Sequence, residues 1–346
     1  MVVSFDSRVK SENSKLEPAI IRVLKRGVDS MGIKPKVVVS RCLGFEACRY
    51  NAQSIQDDFV NRIKPFVELT TICPEADIGL GTPRQPVRLV QIQGQVRMIQ
   101  PATDNDVTDA MHDYISEQLP KFSNVDGVIM KGRSPSCGPS VVKVYCGSQK
   151  GSSAIKGVGL VAQAVNEKLP FIAMEDEGRL KNFHIREAFL MRLYALARLR
   201  ELLAAPSIKA LTEFHARHKL LLMCYHQENM RLCGRIASNG DKESLSIVMH
   251  KYAENFRKAL QREPSQKNII NALYHGYGWI SDELKTEEKK MFIDAIEEYR
   301  DDRITLATLQ HLLKSYVIRF EHAYLGSQYF LDPYPRELCD LSNSGH

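Results

Sequence analysis

The sequence contains no run of 18 or more apolar residues, so it predicts no membrane-spanning helix. Its first residues, Met1 to Asn13, are polar and lack the apolar core of a secretory signal peptide. We therefore expect a cytoplasmic protein without a membrane partner. In that reducing compartment the eight cysteines are not expected to form disulfides, which leaves metal binding, chemistry or simple burial as their roles.

The cysteines also include no Cys-x-x-Cys pair, the spacing typical of structural zinc sites. Three of them stand instead in short motifs that are far apart in the sequence: Ser40-Arg41-Cys42-Leu43-Gly44, Ile72-Cys73-Pro74-Glu75 and Ser134-Pro135-Ser136-Cys137-Gly138. Each motif follows a strand-like apolar run, and each contains Gly or Pro. Cys224 and Cys233 lie on a helical pattern, where cysteine is usually a small buried hydrophobe.

Neither sign of charge is in large excess. The 47 Lys and Arg residues against 41 Asp and Glu give a net charge of +6, which permits a polyanionic partner without requiring one. At 346 residues the chain is long enough for two domains with separate cores.

Strands and helices alternate from residue 36 onward. Apolar runs predict strands at 36–40, 66–72, 125–130 and 169–174, a hairpin at 86–99, and helices at 54–63, 104–119 and 157–167. This alternation is typical of an α/β fold with a Rossmann-like parallel sheet. Because ligands bind beyond the carboxyl ends of such strands, the three cysteine motifs are expected to meet at one edge of the sheet.

From Arg186 to Phe330 the pattern is helical throughout. The predicted helices cover residues 185–203, 207–236, 245–260, 266–274, 287–300 and 305–324. We therefore predict three regions: an N-terminal extension, residues 1–35, with an amphipathic helix from Leu16 to Met31; an α/β domain, residues 36–180; and an all-helical domain, residues 186–335.

Three converging thiolates are one ligand short of a closed four-ligand site. Structural metal sites are closed, whereas a centre that does chemistry keeps one position open. Soft thiolates select zinc, copper(I) or iron–sulfur clusters. The alternative is three unrelated buried cysteines, although their shared position at strand ends argues against it.

The motifs resemble the thiouracil desulfidase family. The resemblance runs from Val37 to about Met174 and rests on residues 40–51, on Cys73-Pro74-Glu75 with residues 79–84, and on residues 131–138. It implies a 4Fe-4S cluster held by Cys42, Cys73 and Cys137, with a fourth iron open to the sulfur of a thiocarbonyl. The implied reaction replaces C=S by C=O without a change of oxidation state.

The resemblance also implies a proton donor and acceptor beside the open iron. The serine three residues before the last cysteine is Ser134, and the glutamate near the middle cysteine is Glu75, Glu68 or Glu46. For Glu68, a strand-face carboxylate paired with a base is the alternative. The residues expected to line the pocket or contact phosphate are Arg49, Tyr50, Asn51, Arg84, Lys131 and Arg133, although the family more often has Asp where this chain has Asn51. Cys48 is expected to be a pocket neighbour, because a fourth thiolate would close the site.

The second domain resembles a small helical family found alone or fused behind desulfidase-like domains, from about Leu190 to Leu338. Between Arg186 and Arg235 nine Lys or Arg residues stand against four Glu. Basic residues such as Arg217 and Lys219, with Tyr and Trp nearby, suit a structured RNA, and a solvated helix face is the alternative.

This combination resembles the tRNA-acting branch of the family and predicts conversion of 4-thiouridine to uridine in tRNA. One alternative is the same chemistry on a free thiopyrimidine such as thiouracil. Another is a non-catalytic iron–sulfur redox sensor that binds RNA. The sequence leaves the oligomeric state open.

Overall fold

The computed structural model describes residues 32–147, 149 and 151–342. The helix predicted from Leu16 to Met31 lies outside these residues. The chain divides into two compact units. The sheet unit comprises Ile33–Ser207, Ser244–Glu263 and the residues from Tyr334 onward, and the helical unit comprises Ile208–Glu243 and Pro264–Pro333.

The strands form two sheets. Their bounds are β1 Lys36–Ser40, β2 Glu68–Ile72, β3 Arg88–Ile92, β4 Gln95–Gln100, β5 Asn105–Asp106, β6 Gly127–Met130, β7 Val142–Tyr145, β8 Ala154–Gly157 and β9 Ala173–Asp176. The first sheet has the order β2-β1-β6-β9 and is parallel throughout. The predicted α/β fold with a parallel sheet is thus confirmed.

The second sheet has the order β5-β4-β3-β7-β8 and is mixed. The predicted hairpin is its β3–β4 pair, in which Ile92 lies opposite Gln95. The strand β3 runs parallel to β7, and β7 runs antiparallel to β8. The strands β7 and β8 were not predicted from the sequence, because both are four residues long and β8 has no buried residue.

Four helices belong to the α/β part of the sheet unit: α1 Asp58–Ile63, α2 Thr108–Gln118, α3 Leu160–Lys168 and α4 Phe183–Ala204. The helices α2 and α3 share one apolar core with both sheets, in which Val38 and Val128 meet Leu89 and Val144. The helix α4 approaches β6 so closely that a Cβ on Gly127 would lie 2.5 Å from Leu193 Cδ1.

The remaining helices are α5 Ile208–Tyr225, α6 Gln227–Ser238, α7 Leu245–Ala259, α8 Gln266–Gly278, α9 Thr286–Arg300, α10 Leu306–Phe320 and α11 Ala323–Gly326. The single helix predicted over residues 207–236 is two helices. His226 separates them, because its extended backbone and its side chain, which accepts the Asn229 amide, start a new helix. The helix predicted over residues 305–324 also ends early, at Glu321 with φ 52°.

The predicted boundary between the domains lies at residues 180–186. In space, α4 and α7 belong to the sheet unit, which therefore extends to Ser207 and takes in Ser244–Glu263. Within the described residues, no helix is long and apolar enough to cross a membrane.

Candidate active site

One cavity of about 340 Å³ collects the three cysteine motifs at the carboxyl ends of β1, β2 and β6. Its lining comprises Ser40, Cys42, Cys48, Arg49, Tyr50, Ile72, Cys73, Pro74, Glu75, Arg84, Pro86, Val87, Lys131, Gly132, Arg133, Ser134, Pro135 and Cys137. All four of its cysteines are buried. The parallel sheet therefore brings together side chains that are up to 95 residues apart in the sequence, from Cys42 to Cys137.

The backbone of Cys73 is fixed by a carboxylate four residues further on. Asp77 Oδ2 accepts the Cys73 amide at 3.2 Å and the Tyr114 hydroxyl at 3.2 Å. Arg41, from the first motif, donates to both oxygens of Asp77 at 3.0 and 3.3 Å. This network joins the Cys42 motif to the Cys73 motif.

The Cys137 loop is held by the amino end of α3. The amides of Gly159, Leu160 and Val161 donate to the carbonyls of Gly138, Pro135 and Ser136 at 2.8, 3.1 and 2.9 Å. Position 159 must be glycine, because a Cβ there would lie 2.7 Å from the Ser136 backbone.

Ser134 closes the same loop from within. Its Oγ accepts the amides of Ser136 and Cys137 at 3.3 and 3.2 Å. Since both contacts use the oxygen as an acceptor, the hydroxyl proton is left for a group in the cavity.

Glu75 is the carboxylate of the cavity, and two side chains hold it. Arg84 donates to its Oε2 from Nε at 3.0 Å and from Nη2 at 2.8 Å. The fully buried Ser136 donates its hydroxyl to Oε1 at 2.6 Å. Arg84 Nη1 also donates to the Cys48 carbonyl at 2.9 Å. One guanidinium thus ties Glu75 to the segment that follows Cys42.

The structure brings most of the predicted site residues to this cavity. Arg49 lies over the ring of Tyr50, 5.6 Å from its centroid. Lys131 donates to Glu177 and to the Gly132 carbonyl. The other predicted residues that line the cavity are Cys42, Cys73, Cys137, Ser134, Glu75, Arg84 and Arg133.

Two predicted residues lie elsewhere. Glu68 is exposed at the amino end of β2, opposite Lys36, whereas the cavity lies beyond the carboxyl end of that strand. Asn51 is exposed and donates to Gln53 at 2.7 Å. Glu46, also considered for the acid–base role, lies 3.6 Å from Arg41 and does not line the cavity.

The donor set can be tested against the kinds of metal group that thiolates select. Among the described residues, no three His, Cys, Asp or Glu side chains are placed to hold a single metal ion. The cavity does hold four thiols, and thiolates are the soft ligands that bind iron–sulfur clusters. By the chemistry of the donors, the residues present therefore fit such a cluster.

Burial disfavours the charged form of the cysteine thiols. It raises the pKa of Cys42 to about 11 and raises the pKa of Cys137 well above its usual range. A bound cationic group would reverse this preference by favouring the thiolates.

In the helical unit, the consecutive Arg217, His218 and Lys219 do not form one exposed basic stripe. His218 is buried between the rings of Phe214 and Tyr329. Arg217 lies over Tyr329, 4.3 Å from the ring centroid. Arg200 lies in the sheet unit, where it pairs with Asp126 at 3.1 Å.

Sequence reasoning missed Ser136 and Asp77 as site residues. Ser136 stands in the same motif as Ser134, and nothing in a single sequence shows which of the two hydroxyls reaches Glu75. Asp77 follows Cys73 by four residues, and that spacing within a turn was the available signal for a capping carboxylate.

Comparisons with known proteins place both regions in families. Residues 37–177 match the family described as "2-thiouracil desulfurase", and residues 219–335 match "Protein of unknown function (DUF1722)". The chain is similar to "Uncharacterized protein YbbK" of Bacillus subtilis, with 29% identity over 41% of this chain and 96% of that protein. It is also similar to "Uncharacterized protein YbgA" of Escherichia coli, with 24% identity over 46% of this chain and 95% of that protein.

Among solved structures, the chain is similar to the "[4Fe-4S]-dependent thiouracil desulfidase TudS", with 27% identity, coverage of 42% of this chain and 93% of that chain, and a TM-score of 0.34. The resemblance read from the cysteine motifs is confirmed by the family match. This chain therefore contains a domain of the 2-thiouracil desulfurase family, residues 37–177, followed by a DUF1722 domain, residues 219–335.

Proposed function

We propose that the sheet unit is an iron–sulfur desulfidase that converts the C=S group of a thiopyrimidine, such as thiouracil, to C=O. The observation that supports this most is that Cys42, Cys73 and Cys137 line one cavity together with the carboxylate of Glu75 and the hydroxyl of Ser134. The net reaction consumes one water and releases the sulfur as hydrogen sulfide, so no atom is oxidised or reduced.

Cys42, Cys73 and Cys137 are the residues that would hold the 4Fe-4S cluster. When bound by three thiolates, such a cluster supplies an iron with an open position, which acts as a Lewis acid with a preference for sulfur. Cys48 lines the same cavity, but we assign it no ligand role, since a fourth thiolate would close that position.

Glu75 is suited to take a proton from the attacking water. Arg84 and Ser136 fix the plane of its carboxylate. Oε2 accepts two hydrogen bonds from Arg84, whereas Oε1 accepts one from Ser136 and keeps a second lone pair for the water. Removing the water's proton raises its nucleophilicity at the thiocarbonyl carbon.

Ser134 is suited to donate a proton. Its oxygen accepts two backbone amides, so its hydroxyl proton remains for donation to a group in the cavity that Ser134 lines. A donor at this place would supply a proton to the substrate as the sulfur leaves. Tyr50 and Arg49 stand at the lining with an aromatic face and a guanidinium plane, which suit stacking on a pyrimidine.

The test is anaerobic turnover of 2-thiouracil in ¹⁸O-labelled water by protein reconstituted with iron and sulfide. We expect one uracil carrying one ¹⁸O, and one sulfide, for each thiouracil consumed. Loaded protein that binds a full cluster yet removes no sulfur from a thiopyrimidine would contradict the proposal and favour a redox sensor.

A second candidate is the same chemistry on 4-thiouridine in tRNA. It is supported by a groove next to the cavity that is lined by Arg88, Lys143 and Lys156, three basic residues suited to phosphate groups. The base would have to leave its stack to reach the cavity, at a cost of a few kcal/mol that phosphate contacts would offset. Comparing kcat/KM for thiolated tRNA and for free thiouracil decides between the two substrates, and tRNA that keeps its sulfur would eliminate this candidate.

A further inference from the structure

Three basic side chains stand side by side on adjacent strands of the second sheet. Lys143 of β7 lies directly opposite Lys156 of β8. Arg88 and Lys143 each precede the paired residues Leu89 and Val144 of β3 and β7 by one position, so they are neighbours too. All three basic side chains are exposed.

This arrangement is unfavourable on its own. Like charges directly opposite each other on neighbouring strands lower the stability of a sheet. In the part of the chain that the structure describes, none of the three forms a salt bridge, and Arg88 lies over the ring of Tyr145, 5.1 Å from its centroid. By contrast, Arg97 on the neighbouring strand β4 is paired with Asp106 at 2.7 Å.

The row of cations lines a groove of about 590 Å³. Among the described residues that line this groove there is no aspartate or glutamate, and Tyr145 supplies an aromatic ring. Its uncompensated positive charge is complementary to a polyanion.

The groove adjoins the cysteine cavity. Pro86, Val87, Arg133 and Pro135 line both. Arg133, with a left-handed φ of 61°, is exposed at this junction. A ligand that places its base in the cavity could therefore extend its next phosphates along the groove.

We propose that Arg88, Lys143 and Lys156 form a track for the phosphates of the RNA strand that flanks the thiolated base. The sheet unit would then bind the RNA next to the reacting base, independently of any RNA contact made by the DUF1722 domain. Phosphate neutralisation by lysine and arginine, together with an aromatic ring for stacking, is the usual chemistry of single-stranded RNA sites. The inference rests on the second candidate function, desulfuration of a thiolated base in RNA.

The test compares two triple variants of the full-length, cluster-loaded protein. The groove variant is Arg88→Gln, Lys143→Gln and Lys156→Gln. The control variant, Lys121→Gln, Lys168→Gln and Lys181→Gln, removes the same charge from exposed positions of the sheet unit outside the groove. Binding and desulfuration of tRNA containing 4-thiouridine are measured from 50 to 300 mM salt, with free 2-thiouracil as the second substrate.

For the groove variant we expect roughly 10–100-fold weaker binding of tRNA at low salt and a slope of log Kobs against log salt reduced by about 2. Turnover of free thiouracil and the iron content should match those of the wild type, and the thermal midpoint should not fall, since a repulsion is removed. The control variant should bind tRNA as the wild type does.

Three results would overturn the inference. Wild-type affinity and slope in the groove variant would show that the groove contacts no phosphate. Equal losses in both variants would show that only the net charge matters, and capture of an acidic protein with no loss of RNA binding would assign the groove to a different partner. If the wild type itself leaves tRNA unbound while it desulfurises free thiouracil, the desulfidase function stands and the groove inference alone fails. If the loaded wild type desulfurises neither substrate, the proposed function fails as well.

Discussion

Arg84 holds Glu75 through two donors to one carboxylate oxygen, with Nε and Nη2 at 3.0 and 2.8 Å from Oε2. The guanidinium side chain is 4% exposed and the carboxylate side chain 13% exposed, so the pair lies in a region with little water to screen it. Neither charge has a replacement partner of the opposite sign in that network, and each therefore depends on the other.

We expect Arg84→Gln to lower the free energy of unfolding by about 3 kcal/mol, because it leaves a buried carboxylate without its cation. The matched control is Arg97→Gln, which breaks the pair with Asp106 at side-chain exposures of 32% and 31% and should lower the free energy of unfolding much less, because water screens an exposed pair. Denaturant unfolding of both variants measures the difference. Equal decreases in the free energy of unfolding would mean that burial does not strengthen the contribution of the Arg84–Glu75 pair to stability.

The identity of the acid–base glutamate is open to direct test. We expect Glu75→Gln to lower kcat on thiouracil by about 10²-fold or more, since the amide cannot accept the water's proton. Glu68→Gln should leave kcat within about twofold, because Glu68 lies at the far end of β2. Iron content is measured in both variants, and a larger kcat loss in the Glu68 variant would exclude the assignment to Glu75.

The two serines of the Cys137 loop, Ser134 and Ser136, should differ in their effect on kcat. Ser134→Ala removes the donor aimed into the cavity, and we expect kcat to fall about 10²-fold. Ser136→Ala removes only the hydrogen bond that orients Glu75, and we expect a fall of about tenfold with KM unchanged, together with roughly 1 kcal/mol of stability. If the order of the two kcat losses is reversed, the roles of the two hydroxyls are reversed with it.

A partly buried carboxyl outside the site, that of Glu187, gives a prediction for the pH dependence of stability. Burial raises the pKa of Glu187 to about 7, although its hydrogen bond with Tyr334 acts in the opposite direction. Below about pH 4.5 both the folded and the unfolded state are protonated, and between 4.5 and 7 only the unfolded state loses the proton. Stability should therefore fall by on the order of 2 kcal/mol as the pH rises through that window, and Glu187→Gln should flatten this part of the curve.

The parallel sheet, and the edge of it that carries the three cysteine motifs, could be predicted from the sequence for a physical reason. The strand Lys36–Ser40 is a β-branched run buried on both faces, and such runs are recognisable without any partner. Once the strands are parallel, their carboxyl ends must share an edge, so the meeting of Cys42, Cys73 and Cys137 follows from the topology.

The parts that were missed depend on contacts between distant residues. The strand β8 has no buried residue and exists because β7 pairs with it. The contact of Ser136 with Glu75 spans 61 positions, and only the folded loop decides which serine makes it. The helix break at His226 was missed because a capping histidine within a continuous helical pattern is a weak local signal.

The central claim is that three of the four cavity cysteines hold the cluster and one iron is left for the substrate's sulfur. The most direct measurement is anaerobic reconstitution of Cys42→Ala, Cys73→Ala, Cys137→Ala and Cys48→Ala, with iron and sulfide counted and thiouracil turnover measured in each. The account predicts that the first three variants lose the stable cluster and all turnover, whereas Cys48→Ala keeps about four irons per chain, as a 4Fe-4S cluster requires, and remains active. Loss of the cluster in Cys48→Ala to the same extent as in the other three would make the site a closed four-cysteine centre and contradict the account.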